Sequence, residues 1–422
     1  MKFSKKILPN GLRIITVPME DNPTVTVLVL VEAGTKYETK NINGISHFLE
    51  HMCFKGTKKR PKGIQISREL DGLGAQYNAF TSYEYTGYYA KGQKKNFSRF
   101  LDLVSDIYLN STLPKEEIEK EKGVIIGEID VNEDNPMSSV EFLFLKLLYG
   151  NQPAGWSILG GKKTIKKMKR NNFIDYQKKH YVASGTTVIV TGDVNKREVV
   201  REIEKKFINI PTTKKYKKLK VRESQKKPAI LIKYKKTDQT HLIFGVRTYG
   251  VLHKDIPILE VLAGILGKGM SSRLFERLRD KMGVGYYIQA GQNTLTDHGL
   301  LEISAGVDNK RIKEVTKALL EECQKLVDEK VSEKELKKSK DFLIGNMYLR
   351  LELSDSLASF YGDQAVLRKP IKTPSEVEKI IKEITTKDIQ QVAKTIFQNK
   401  GLNLALIGPF KNKKPFQQIL KF

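Results

Sequence analysis

Apolar and polar residues change their period several times along this chain. Short runs rich in β-branched and aromatic residues predict strands near Leu12–Pro18, Thr24–Ala33, Ala75–Thr81, Tyr83–Ala90 and Thr187–Thr191. Between them a 3.6-residue period predicts helices near Gly44–Phe54, Lys95–Leu109, Pro114–Asn132 and Val140–Leu148, with another after Asp193. Hairpin-joined strands followed by helices point to an α+β architecture, an antiparallel sheet packed on helices, more than to a doubly wound parallel sheet.

The same pattern is written twice. LPKEEIEKEKGVIIGEI and VSEKELKKSKDFLIGNM each open on a turn and continue as a helix, pairing Ile118 with Leu336 and Gly127 with Gly345. GLGAQYNAFTSYEYTGYYAKG has its partner in MGVGYYIQAGQNTLTDHGLLEISAG, and HFLEHMCFKG stands where ILEVLAGILGKG falls later. Order and spacing agree, which predicts two homologous halves. Residues 211–228 hold eight basic residues against one acidic, are bracketed by prolines and lack apolar period, as a solvated linker would. The expected division is 1–210, a linker at 211–228, and 229–422.

Composition narrows the class. The 422 residues are 40% hydrophobic and 29% charged, enough to build sizeable cores. No apolar run approaches the roughly 18 residues that span a bilayer, and the N-terminal residues lack a signal-type apolar stretch. Two cysteines, Cys53 and Cys323, cannot form a disulfide framework. A cytoplasmic protein with no membrane partner is expected. Lys and Arg outnumber Asp and Glu by 74 to 48, a net charge of +26. The basic residues are spread along the chain without interleaved aromatics, so they read as a solvated surface and no nucleic-acid partner is expected.

The chemistry concentrates in HFLEH. His47 and His51, at i and i+4, stack on one helical face, where two imidazoles can converge on one ion with Glu50 beside it. H-x-x-E-H is the inverted form of a zinc-protease motif. Catalytic zinc takes three protein ligands and keeps an open position, so a third ligand must come from elsewhere. The helix EEIEKEKGVIIGEID offers Glu121 and Glu128 on one face, with Glu117 and Val124. Glu128 follows the apolar run VIIG and should lie deeper than a free surface acid, which calls for a cation. The second half has Asn346 and Ser339 at the corresponding places and lacks the histidines, so it cannot build the same site. Cys53 reads as core packing, and His180, His241, His253 and His298 show no metal-ligand spacing.

With Glu128 seventy-seven positions after His51, HFLEHMCFKGT resembles the pitrilysin/insulysin family of inverted-motif zinc metallopeptidases. The length is similar to the branch that includes the mitochondrial processing peptidase β-subunit and its bacterial relatives. GAQYNAFTSYEYTGYY and SSRLFERLRDKMGVGYY extend the likeness over nearly the whole chain. The resemblance implies one Zn2+ per chain on His47, His51 and Glu128, and Glu50 as the base that activates the metal-bound water. It implies an auxiliary acidic role for Glu121 and active-site roles for Arg279 and Tyr286. It also implies that Asn78, Ala79 and Phe80 form an edge to which a peptide substrate adds as a strand. The expected activity is endopeptidase hydrolysis of unfolded peptides, in a homodimer whose two halves form a clam shell around a chamber. Other classes also fit: a non-catalytic scaffold of the same family, or a basic nucleic-acid-binding protein.

Overall fold

The computed structural model describes residues 2–422 and divides into two compact units, each with its own core. Unit 1 holds a six-stranded sheet in the order β1-β2-β6-β3-β5-β4: β1 (Ser4–Ile7), β2 (Arg13–Pro18), β3 (Thr24–Val31), β4 (Gln76–Thr81), β5 (Thr86–Gln93) and β6 (Thr186–Gly192). Unit 2 holds a five-stranded sheet in the order β7-β11-β8-β10-β9: β7 (Ala229–Tyr234), β8 (Gln239–Thr248), β9 (Gly285–Thr294), β10 (Gly299–Asp308) and β11 (Asn403–Gly408). Leaving β1 aside, the two orders are the same strand for strand, so the duplication read from the sequence is present in the topology.

The sheets are mixed, which departs from the antiparallel expectation. β2 runs parallel to β6 and β7 parallel to β11, while the remaining pairs are antiparallel. Parallel neighbours need a long crossover and leave no hairpin signal in the sequence. Four further elements of the first half escaped the pattern: β1 and helices at Gly63–Gly72, Lys162–Lys167 and Arg170–His180. The strand expected from Tyr83 begins at Thr86, because Ser82 and Tyr85 close a turn, the Ser82 hydroxyl donating to the Tyr85 carbonyl at 3.0 Å.

Four helices carry the site and its counterpart. In unit 1 they are α1 (Ile45–Cys53) and α3 (Lys115–Asp134), with α2 (Phe97–Leu109) packed on β3 and β5. Later in the chain come α4 (Pro136–Tyr149), α5 (Ile256–Gly267), α6 (Ile312–Asp328), α7 (Glu333–Arg350) and α8 (Ser354–Val366), α5 and α7 being the repeats of α1 and α3.

The units do not follow the sequence halves. Unit 1 runs to Asp130, takes in Ser157–Leu219 and adds Tyr348–Pro374; unit 2 takes Val131–Trp156, Lys220–Met347 and Ser375–Phe422. Each half therefore lends the other a helix. α4, from the first half, packs on β8 and β11, where the Phe144 ring covers Gly245 and the Tyr149 hydroxyl donates to the Gly299 carbonyl at 3.2 Å. α8, from the second half, packs on β3 and β6. Its Gly362 lies against Leu30 and Ile189, and its Ser354 hydroxyl bonds Thr26 at 2.9 Å. A cut at 211–228 leaves each half holding an element of the other unit. The linker is mostly exposed, yet it is pinned: Lys215 pairs with Glu32 and Lys218 with Glu84 at 2.5 Å, and the Val221 and Arg222 amides donate to Asp297 and Gln152. Among the described residues no helix is long and apolar enough to cross a membrane.

Candidate metal centre

α1 begins where Gly44 takes φ +95°, a left-handed conformation that glycine adopts without penalty. A Cβ there would meet the Leu159 carbonyl oxygen at 2.7 Å, so bulk as well as conformation demands glycine. The buried Glu38 carboxylate caps the helix, accepting from the Gly44 and Ser46 amides at 2.8 and 2.9 Å. A negative group at a helix N-terminus meets free N–H groups and the positive end of the dipole. Ile45, Phe48, Leu49 and Met52 are wholly buried in the unit 1 core. That leaves His47, Glu50 and His51 on the remaining face. Cys53 is also core, its thiol 3.5 Å from the Tyr88 hydroxyl and pushed up to about 12 by burial.

α3 is anchored by Ile118, Ile125 and Ile129, and it presents Glu121 and Glu128 to α1. His51 Nε2 and His47 Nε2 are 3.2 Å apart; Glu128 Oε2 lies 3.5 Å from His47 Nε2 and 3.9 Å from His51 Nε2. Among the described residues this trio is the one metal-capable cluster, its donor atoms all within 4.8 Å of one another. A tetrahedral zinc with arms of about 2.0–2.2 Å sets ligand atoms about 3.3–3.6 Å apart, close to these separations.

The donor chemistry agrees. Glu121 Oε1 lies 2.8 Å from His51 Nδ1, which places the ring proton on Nδ1 and leaves Nε2 as a lone pair facing His47 and Glu128. Three electron-rich atoms converging in this way call for a cation. His47 Nδ1 is buried with no hydrogen-bond partner, so the His47 ring lacks the outer brace that Glu121 gives His51. The residues present therefore fit a zinc ion.

The expected depth of Glu128 is met at its buried Oε2, while the rest of the side chain is open. The Glu128 side chain is 43% exposed, whereas that of Glu121 is 5% exposed. The isoleucines draw Glu121 toward the core, and Gly127 gives Glu128 an open flank. The buried carboxylate finds its partners in His51 and in Lys55, whose ammonium is 2.5 Å from Glu121 Oε2.

Electrostatics follow from burial. In the metal-free chain burial lowers the His47 imidazolium to about 4, with the His51 charge adding, so the ring is neutral and able to bind a metal. Burial opposes charge on His51 too, but its bond to Glu121 and the nearby carboxylates outweigh that and hold it above its ordinary value. Burial raises the Glu50 carboxyl, and Glu128 adds to the rise against the pull of Thr81 and His51. Thr81, on β4, donates to Glu50 Oε2 at 2.6 Å. Thr81 and Lys55 are site residues that the sequence reading passed over, since neither type carries a metal-ligand or base signature.

β4 is the outer strand of its sheet, as the edge reading requires. Asn78 is exposed and its Oδ1 accepts the Ala79 amide at 2.9 Å, so the side chain covers a backbone donor that an added strand could use. The Phe80 ring lies over Gly87, where a Cβ would come within 2.3 Å of it. In unit 2, Arg279 donates to the Gly285 carbonyl at 2.6 Å, and Tyr286 is 61% exposed on β9, the outer strand there. His180 is buried between Tyr37 and Tyr176, and His298 rests on Asp297 at 2.7 Å.

Aligning the repeats at Lys55-Gly56 and Lys268-Gly269 puts Glu260, Ala263 and Gly264 at the places of His47, Glu50 and His51. α5 and α7 touch where the ligands would stand: a Cβ on Gly264 would meet Ser339 Oγ at 2.7 Å. Ser339 donates instead to the Val261 carbonyl at 3.2 Å, and Asn346 bonds its own helix at Phe342.

A family model described as Insulinase (Peptidase family M16) matches residues 13–162, and one described as Peptidase M16 inactive domain matches residues 167–343. The chain is 33% identical over 406 residues to YmxG of Bacillus subtilis, named an uncharacterized zinc protease, covering 96% of this chain and 97% of that one. A protein of the same designation from Rickettsia bellii is 33% identical over 414 residues, covering 96% and 98%. Among solved structures, a protease from Helicobacter pylori matches with a TM-score of 0.89 at 24% identity, covering 97% of this chain and 99% of that one. A chain in the Complex III2 structure from Candida albicans matches at 0.86 and 17% identity, covering 99% and 100%.

Proposed function

Because the chain belongs to the M16 peptidase family, we propose that it is a zinc-dependent endopeptidase acting on unfolded peptides. The observation that carries this reading is the convergence of His47, His51 and Glu128 with Glu50 on the same helix face. His47, His51 and Glu128 would hold the ion. Zinc bound there supplies Lewis acidity, polarising a carbonyl and making a water more acidic.

The chain's own groups do the rest. Glu50 takes the proton from the attacking water and returns it to the leaving amine. Thr81 holds Glu50 Oε2, so Oε1 is the oxygen left for proton transfer. Burial raises the Glu50 carboxyl above its ordinary value, which strengthens it as a base. Glu121 fixes the tautomer and orientation of His51. The free edge of β4 at Asn78, Ala79 and Phe80 offers a peptide backbone bonds that ignore sequence, with affinity set by the backbone and selectivity by the side chains. Arg279 and Tyr286 are proposed donors to the oxyanion, each worth about 10²–10³ in rate if so used.

The test is Glu50→Gln. Its zinc content should stay near that of the wild type while peptide turnover falls by about 10²–10⁴. Full activity in that variant, or a wild-type chain that takes up no zinc, overturns the reading.

A further inference from the structure

We propose that Lys55 is a positioning residue for the metal centre, acting on His51 through Glu121. The proposal rests on the zinc-site reading and adds a residue to it. Glu121 uses its two oxygens separately: Oε1 faces His51 Nδ1 at 2.8 Å and Oε2 faces Lys55 Nζ at 2.5 Å. The terminal torsion of a glutamate is broad, so a carboxylate held by one oxygen can swing. Held by both, it points Oε1 at the imidazole and fixes the plane of the ring whose Nε2 meets the metal.

Both ends of the pair are anchored. Lys55 follows α1 directly, its amide donating to the Met52 carbonyl at 3.2 Å. Gly56 takes φ +140°, and a Cβ there would meet the Pro61 carbonyl oxygen at 2.4 Å, so the turn after Lys55 is closely packed and requires glycine. The Thr112 amide donates to the Gly56 carbonyl at 3.0 Å, and Ser111 bonds the Met52 carbonyl at 3.1 Å. Thr112 lies three residues before α3, the helix that carries Glu121. The lysine thus springs from a loop clipped to the root of its partner's helix.

Burial separates this pair from the many surface ion pairs of a lysine-rich chain, which contribute little. The Lys55 side chain is 29% exposed and that of Glu121 5%. Charge also balances: Glu50, Glu121 and Glu128 ionised carry three negative charges, and a divalent ion with Lys55 carries three positive. The repeat makes the dependence visible. Lys268 stands at the place of Lys55, but Ser339 replaces Glu121, and Lys268 lies instead 3.7 Å from Glu260.

The experiment is a zinc-affinity titration against a competing chelator, run on the full chain with Lys55→Met, Lys55→Arg, Glu121→Gln and the double variant Lys55→Met/Glu121→Gln. Lys55→Met should bind zinc about 10-fold more weakly, at the lower end of the roughly 10–100-fold worth of outer partners. Lys55→Arg should recover most of the loss. The double variant should be no weaker than Glu121→Gln alone, since the lysine acts only through that carboxylate. Thermal unfolding of the metal-free proteins separates this from general destabilisation, which would lower the midpoint without the non-additive pattern. If Lys55→Met fails to fold, Lys55→Gln takes its place in the cycle. Wild-type affinity in the lysine variant, or additive losses in the double variant, overturns the proposal alone. A wild-type chain without zinc affinity overturns the site reading instead.

Discussion

The α1–α3 pair in unit 1 and the α5–α7 pair in unit 2 are the same two helices put to different uses. In the first, His51 and Glu121 fill the space between them and leave acceptor atoms facing outward. In the second, Ser339 Oγ and the Leu343 side chain stand where a side chain on Gly264 would begin, and no room is left for one. A metal centre of this kind costs packing, since two imidazoles and a buried carboxylate must stand where small residues would allow contact. The repeat without the motif fills that place with Ser339 and Leu343. A glycine at the position of a candidate ligand is therefore more than a lost donor atom, because side chains of α7 stand in its place.

Four experiments press on that contrast. The largest effect is expected from His51→Gly, which gives unit 1 the residue of its counterpart. Zinc affinity should fall by more than the roughly 10–100-fold that an outer partner is worth, and peptide turnover with it; metal analysis of the purified variant measures this. The reverse change, Gly264→His, should bring no second zinc, because Ser339 and Asn346 supply no carboxylate from α7 and Glu260 with one imidazole makes only two ligands. It should lower stability by about 1–3 kcal/mol in urea unfolding, the usual cost of overpacking. A variant of wild-type stability would mean that the α5–α7 contact is loose.

A smaller effect is expected from Thr81→Val, since Ala263 in the repeat has no carboxylate for a hydroxyl to hold. Turnover should drop by about 10-fold, the worth of a hydrogen bond to a charged group, with zinc content unchanged. Equal turnover would remove Thr81 from the site. The smallest effect concerns the lent helices. α4 brings Glu141 toward Glu302, whose carboxyl is pushed up to about 7 by burial, with Glu141 adding. α8 brings Asp363 to the Tyr85 hydroxyl at 2.9 Å. The folded chain holds the Glu302 proton to higher pH than the unfolded one. The stability it contributes is thus complete below about 4.5 and is lost as pH rises through 7. Glu302→Gln should therefore match the wild type near pH 4 and exceed it by on the order of 1 kcal/mol at pH 8. Parallel pH curves for the two proteins would refute this.

Much of this contrast could be read before any coordinates. The pattern located α1, α3 and the hairpin strands closely, because their apolar faces repeat over several turns or alternate cleanly. The candidate ligands were legible because HFLEH fixes two of them on one helix face and Glu128 shares a stripe with Glu121. What stayed hidden depends on partners distant in sequence. Thr81 reaches Glu50 across 31 positions and Glu121 lies 66 beyond Lys55, and neither threonine nor lysine announces such a role. The relative depth of Glu121 and Glu128 depends on which side of α3 meets the core, and the apolar run before Glu128 left the deeper burial of Glu121 unread. The parallel pairs and the exchanged segments leave no local trace at all, because strand and helix periods say nothing about which sheet an element will cover.

The exchange of helices bears on how the protein is made. Synthesis runs from the N-terminus, and domains generally fold as units while the chain emerges. Unit 1 cannot do so: after Leu219 it must wait for Tyr348–Pro374, with the 128 residues of Lys220–Met347 in between. At about 5–20 residues per second that is a delay of roughly 6–26 s, during which β3 and β6 lack the cover of α8. Until then Leu28, Leu30 and Ile189 lie bare, apolar surface of the kind that makes folding intermediates prone to aggregate, and the unit with the candidate metal site closes only after most of unit 2 has been made.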